Sequence, residues 1–169
     1  TYIQYIIDTS ASMTELSLAV EDGLERFVKD QVSIAKDENR LDTTNFKLVE
    51  FNTNKKIRFN GPIDKFNFED HRIRCDGLTR LFDSVSEEVE TILKKIKGKK
   101  ELQSLGVSPS KAVLVVMTDG ENNLGSPYPT QMRGLIEKAR SKGVICTFMG
   151  ANQDACETGV EYGFAQDAS

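Results

Sequence analysis

Residues 112–123 read AVLVVMTDGENN, and the first seven of them decide the fold class. A continuous β-branched run from Ala112 to Thr118, with no polar face, is what a strand covered on both sides requires. Such strands belong to mainly parallel sheets flanked by helices. At Asp119-Gly120 the chain changes character, because Asp-Gly favours a tight reversal.

Working outward, Tyr2 to Ile7 is a second apolar run, rich in Ile and Tyr as a buried strand should be. Leu16, Val20, Leu24, Phe27, Val28, Val32 and Ala35 then recur at three- and four-residue intervals, which predicts one amphipathic helix up to about Lys36. NFKLVEF and KKIRFNG flank NTN and predict a hairpin between Phe46 and Asn60. Val85, Val89, Ile92, Leu93 and Ile96 form the stripe of a second helix, and Met132, Leu135, Ile136 and Ala139 that of a third. GVICTFM reads as another buried strand, and NQDACETGV as a last short helix opened by Asn152. GKKELQSLGVSPS, Gly98 to Ser110, is the one linker-like stretch. The alternation implies an α/β fold of Rossmann-like, doubly wound type. Its central sheet is mainly parallel, the hairpin strand is the antiparallel edge, and helices cover both faces.

At 169 residues, residues 1–169 are expected to form a single domain large enough to fold without disulfides. A charged fraction of 28% and a net charge of −4 argue against broad nucleic-acid binding. Cys75, Cys146 and Cys156 are odd in number and form no CxxC, which favours a reducing, cytoplasmic setting over a disulfide framework or zinc site. No apolar run approaches the ~18–20 residues of a membrane span, and no secretory leader is visible. The sequence begins at Thr1 rather than Met, as an excised piece would.

Three loops carry the chemistry: Asp8-Thr-Ser10-Ala-Ser12 after the first strand, CDGLTRLFDSV with Thr79, and DGENN with Asp119. If the strand order reverses beside the first strand, Asp8 and Asp119 lie next to each other at the switch point where ligands usually bind. Two carboxylates in one crevice repel unless a cation sits between them. No Lys or Arg adjoins either in sequence, whereas hydroxyls do. Carboxylate and hydroxyl oxygens are hard donors suited to Mg²⁺ or Mn²⁺. The alternation of Ser10 and Ser12 can bring both hydroxyls to one small ion.

DTSAS with Met13, GLTRLFDSV and VVMTDGENN together resemble the von Willebrand factor A domain, the fold shared with integrin I domains, and its metal-ion-dependent adhesion site. Asp8, Ser10, Ser12, Thr79 and Asp119 match the five positions of that pattern in order, and MGANQDA (149–155) is similar to the stretch after the fifth strand in bacterial and viral members. The resemblance implies a Mg²⁺ site, with Mn²⁺ or Ca²⁺ as substitutes, in which three hydroxyls bind the ion directly and the aspartates act largely through waters. It implies a protein partner that supplies a Glu or Asp carboxylate to the open coordination position, and recognition rather than catalysis. A monomer or one part of a larger complex is the expected state. Relatives commonly continue through a last strand and helix, so the C-terminus is expected to be trimmed or reduced.

Simpler readings compete at each position. Asp8, Ser10, Ser12 and Thr79 are all residue types that cap helices. Glu121 and Asn122 rim the site or are solvated loop residues, and Asn152 rims it or caps a helix. Lys94, Lys95, Lys97, Lys99 and Lys100 suit a helix C-terminus, where cations complement the macrodipole. His71 reads as a surface residue and Cys75 as a packed thiol. The competing function is a metal-dependent phosphohydrolase or phosphotransferase with Asp8 as nucleophile. Such enzymes usually carry a second acid two residues later, where this chain has Ser10, and no general base stands out. A dinucleotide site fails because no glycine-rich turn follows the first strand.

Overall fold

A computed structural model describes residues 1–103, 111–126, 128–150, 158, 159 and 161–164. Its strands are β1 (Tyr2–Asp8), β2 (Asn45–Phe51), β3 (Lys55–Pro62), β4 (Ala112–Thr118) and β5 (Ile145–Gly150). The main helices are α1 (Ser17–Asp37), α2 (Leu81–Gln103) and α3 (Thr130–Ser141). The five strands lie in the order β3-β2-β1-β4-β5, and every pairing is parallel except β2 with β3. The fold class and the antiparallel hairpin edge are those expected from the sequence.

Period-two alternation sorts the strand residues onto two cores. Tyr2, Ile6, Leu114, Val116 and Phe148 pack with Leu81, Val85, Val89 and Ile136 of α2 and α3. Ile3, Tyr5, Ile7, Val115 and Met117 face Val20, Leu24 and Val28 of α1 on the other side. Covering β1 and β4 on both faces explains their largely apolar sequence, Gln4 being the polar exception before Asp8. Beyond α1, an open groove of about 780 Å³ runs along β4 and β5, lined by Phe27, Ile34, Val113, Met117 and Met149 among others.

Helix α1 stops where Asn39 adopts φ 55°, a left-handed conformation that Asn tolerates. The Arg40 N–H then donates back to Ala35 O at 2.7 Å. Gly143 (φ 90°) ends α3 in the same manner, with the Val144 N–H donating to Ala139 O at 3.1 Å. The helix α2 corrects one expectation. It continues through Gly98 to Gln103, because Lys, Glu, Leu and Gln are strong helix formers that outweigh one glycine. The remainder of that linker-like stretch, residues 104–110, lies outside the described residues, as do Cys156, Asn152 and the start of the short helix it was expected to open.

His71, a surface residue in the sequence reading, is half-buried and packs against the hairpin. The β2–β3 register slips between Leu48 and Val49, leaving Arg58 out of the ladder. The His71 ring stacks on Phe66 with centroids 4.8 Å apart, and its Nε2 lies 3.1 Å from Arg58 O.

Candidate functional site

The strand order changes direction at β1, so β1 and β4 deliver their carboxyl ends side by side. Extending the register of Ile6 with Val116 and Ile7 with Met117 puts Asp8 opposite Thr118, on one face of the sheet. The two side chains meet: Thr118 Oγ1 donates to Asp8 Oδ2 at 2.6 Å. Asp8 Oδ1 accepts from the Ser10 N–H at 2.9 Å and from Ser10 Oγ at 2.6 Å. Asp8 is fully buried, Ser10 nearly so, and Ser12 opens to solvent with its Oγ 3.1 Å from Ser10 Oγ.

For Ser10 the capping alternative turns on where its hydroxyl goes. Ser10 occupies the N-cap of the short 3-10 turn Ala11–Leu16, yet its side chain makes no cap hydrogen bond. Only its carbonyl serves the turn, accepting from the Met13 N–H at 3.0 Å. A hydroxyl has one proton, and that of Ser10 points at Asp8, so its lone pairs face outward beside Ser12.

Thr79 is carried to the same place by backbone bonds. The Asp76 N–H donates to Thr9 O at 2.8 Å and the Ala11 N–H to Gly77 O at 3.0 Å, lacing the second loop along the first. On its other side, the Thr79 N–H donates to Asn123 Oδ1 at 2.7 Å, while Thr79 O accepts from the Asn123 and Leu124 N–H groups at 3.0 Å each. Buried Thr79 thus lies between the loops of β1 and β4. Its neighbours have separate duties. Gly77 has φ 77°, and a Cβ there would come 2.7 Å from Thr53 Oγ1, so backbone conformation and space both demand glycine. Leu81 is core, and Asp83 Oδ2 receives the Ser126 N–H at 3.3 Å, holding the turn beyond Asp119.

Asp119, half buried, accepts the N–H of exposed Glu121 at 3.0 Å. Asn122 is not the solvated loop residue its position suggested. Its Oδ1 accepts the Phe82 N–H at 3.0 Å, capping the first turn of α2, and its Nδ2 donates to Ser126 O at 3.0 Å. Asn123 and Thr118 escaped the sequence reading. Thr118 had a legible signal, since adjacency of the two strand ends sets it against Asp8. Asn123 had none, because loop closure rather than periodicity brings it to Thr79.

Electrostatically the site is acidic. Burial pushes the Asp8 carboxyl up, the Ser10 and Thr118 hydrogen bonds pull it partly back, and the nearby negative charge of Asp119 adds to the rise, leaving it at about 6. Among the described residues no Lys or Arg forms an ion pair with Asp8 or Asp119, and no three His, Cys, Asp or Glu residues cluster as metal ligands. A cation here would therefore rely on hydroxyl oxygens. Their spacing suits one: adjacent ligands of an octahedral ion at ~2.1 Å stand about 3.0 Å apart. Ser10 Oγ and Ser12 Oγ are 3.1 Å apart. Without an ion, the same separation is an ordinary hydrogen bond.

No family model and no curated protein sequence matches the chain. Solved structures do. The pilus adhesin SpaC from Lactobacillus rhamnosus GG, in its open conformation, matches with a TM-score of 0.68 at 13% identity, covering 99% of this chain and 27% of the adhesin. Proximal thread matrix protein 1 from the mussel byssus matches at 0.59 and 20% identity, covering 94% of this chain and 40% of that protein. A structure described as von Willebrand factor type A from Catenulispora acidiphila matches at 0.56 and 12% identity, over 89% of this chain and 33% of the other. The chain spans less than half the length of each of these. At such identities the likeness establishes the fold, a von Willebrand A-like sheet, and leaves ligands to the residues themselves. Among the described residues no helix is long and apolar enough to cross a membrane.

Proposed function

We propose that this von Willebrand A-like chain is a Mg²⁺-dependent protein-binding module. The hydroxyls of Ser10, Ser12 and Thr79 would hold the ion, and Asp8 and Asp119 would balance its charge. The observation that carries the reading is the hydroxyl pair at 3.1 Å, whose inner member turns its proton toward the buried Asp8. Neutral first ligands leave a divalent ion short of negative charge, so it seeks an acidic oxygen from outside. A Glu or Asp side chain of a partner protein supplies that oxygen. Mn²⁺ and Ca²⁺, which also prefer oxygen ligands, are substitutes.

The phosphotransfer alternative draws no support from the geometry. Asp8 is fully buried and both its oxygens are already engaged by Ser10 and Thr118, leaving an unfavourable approach for in-line attack on a phosphoester. Thermal unfolding with and without Mg²⁺ tests the cation site. Mg²⁺ is expected to raise the midpoint of the wild type and leave Asp119→Ala unmoved, with no turnover of a generic phosphoester. Turnover abolished by Asp8→Asn would reverse the ranking. A captured partner is expected to dissociate with EDTA and on loss of one of its own acidic residues; indifference to both would place recognition on another surface.

A further inference from the structure

One buried hydroxyl connects the two acids of the site. Thr118 Oγ1 is fully buried, donates to Asp8 Oδ2 at 2.6 Å and accepts from the Gly120 N–H at 3.1 Å. Its single proton can serve only one of these partners, and the ionised carboxylate accepts only, so the direction of both bonds is fixed. Gly120, at φ 85°, is the turn residue directly after Asp119. The same oxygen therefore steadies the Asp8 carboxylate and the bend that carries Asp119.

We propose that Thr118 is a positioning residue for the cation site, holding Asp8 so that Ser10 donates its proton inward and presents its lone pairs outward. The proposal rests on the cation reading above. Asp8 Oδ1 already takes two donors from Ser10, and among the described residues Oδ2 has the Thr118 hydroxyl alone. Loss of the Thr118 hydroxyl leaves that oxygen buried without a donor, and a carboxylate in that state rotates toward whatever donor remains. Rotation takes Oδ1 off the Ser10 hydroxyl, whose proton is then free to point at the ion's place. The Gly120 N–H loses its acceptor in the same stroke. Thr118 thus acts on the ion through two residues and touches it at no point.

The test compares Thr118→Val, which keeps the shape and removes the hydroxyl, with Thr118→Ser, which keeps the hydroxyl. Mn²⁺ is titrated into the chelator-stripped chain, free ion is counted by electron paramagnetic resonance, and Mg²⁺ affinity follows by competition. Circular dichroism reports folding. Thr118→Val is expected to bind about ten- to a hundredfold more weakly, with Thr118→Ser restored to about the wild-type level. A Val variant that binds as the wild type does, or a Ser variant as weak as Val, overturns the proposal and leaves the cation site standing. Should Thr118→Val fail to fold, Thr118→Ala against Thr118→Ser decides on the same terms, since that pair differs by the hydroxyl. If the wild type takes up no Mn²⁺, the cation site itself falls and Thr118 with it.

Discussion

Asp8 and Glu88 are both buried acids on the α2 side of the sheet, and their surroundings are opposites. Glu88, 1% exposed, receives Lys47 Nζ on one oxygen and Lys55 Nζ on the other, each at 2.9 Å, and also the Gln4 amide. Asp8, 0% exposed, has two hydroxyls, one backbone N–H and a second acid for neighbours. Removing a charge from water is costly unless an opposite charge accompanies it. For Glu88 that charge belongs to the chain, because β2 places Lys47 beside Gln4 in the parallel register. Asp8 has none among the described residues. The contrast separates an acid that fastens α2 to the sheet from one held by hydroxyls and a backbone N–H alone among the described residues.

The largest expected effect comes from breaking the complete pair. Glu88→Gln keeps the shape of the side chain and leaves Lys47, 7% exposed, as an unpaired buried cation. Loss of one partner of a buried pair costs about 3–5 kcal/mol. Urea denaturation should show that loss equally with Mg²⁺ and with chelator, because the site is elsewhere. A loss below about 1 kcal/mol would mean the network is no clamp, and the contrast with Asp8 would lose its force.

Next in size is the acid with no cationic partner among the described residues. The Asp8 carboxyl stands at about 6 when folded against an ordinary 3.8, so the folded chain holds this proton more tightly than the unfolded one. Its contribution is therefore fully present below pH 3.8 and is lost as the pH rises through 6. At about 1.36 kcal/mol per pH unit the change amounts to ~3 kcal/mol. In chelator, wild-type stability relative to Asp8→Asn should fall by roughly that amount between pH 4 and pH 7, and saturating Mg²⁺ should restore it. A difference that stays flat with pH would show Asp8 to be as well compensated as Glu88.

That contrast also marks how far the sequence could be read. The strands, α1, the hairpin and the switch point follow from periodicity, because burial on one or two faces leaves a direct mark on residue order. Asp8, Ser10, Ser12, Thr79 and Asp119 stand out as oxygen-bearing side chains after strands or before a helix, and the structure gathers their loops at one sheet end. Lys47 and Glu88 gave no such signal. Each is one polar residue within an apolar pattern, and their pairing depends on the angle at which α2 crosses β2. Asn122 reads as a loop residue for a related reason: capping α2 from the β4 loop joins residues 40 positions apart. The end of α2 lies beyond the sequence expectation because Gly98 resembles a stop signal while its neighbours favour continuation.

The smallest effect sharpens the comparison from within the Glu88 network. Lys55 also reaches Glu88 but is 25% exposed and shares itself with Glu87 at 2.7 Å. Solvent screens such a cation, and Glu88 keeps Lys47 when it is gone, so Lys55→Met should cost about 1 kcal/mol or less. Part of that loss should vanish in high salt, whereas the loss in Glu88→Gln should persist, since a pair excluded from solvent is poorly screened. Denaturation of both variants at low and high ionic strength makes the distinction. If Lys55→Met proved as damaging as Glu88→Gln, the total of positive charge around the acid would matter more than its burial. Asp8 could then be satisfied by a cation at the rim, and enclosure by Ser10 and Ser12 would lose its purpose.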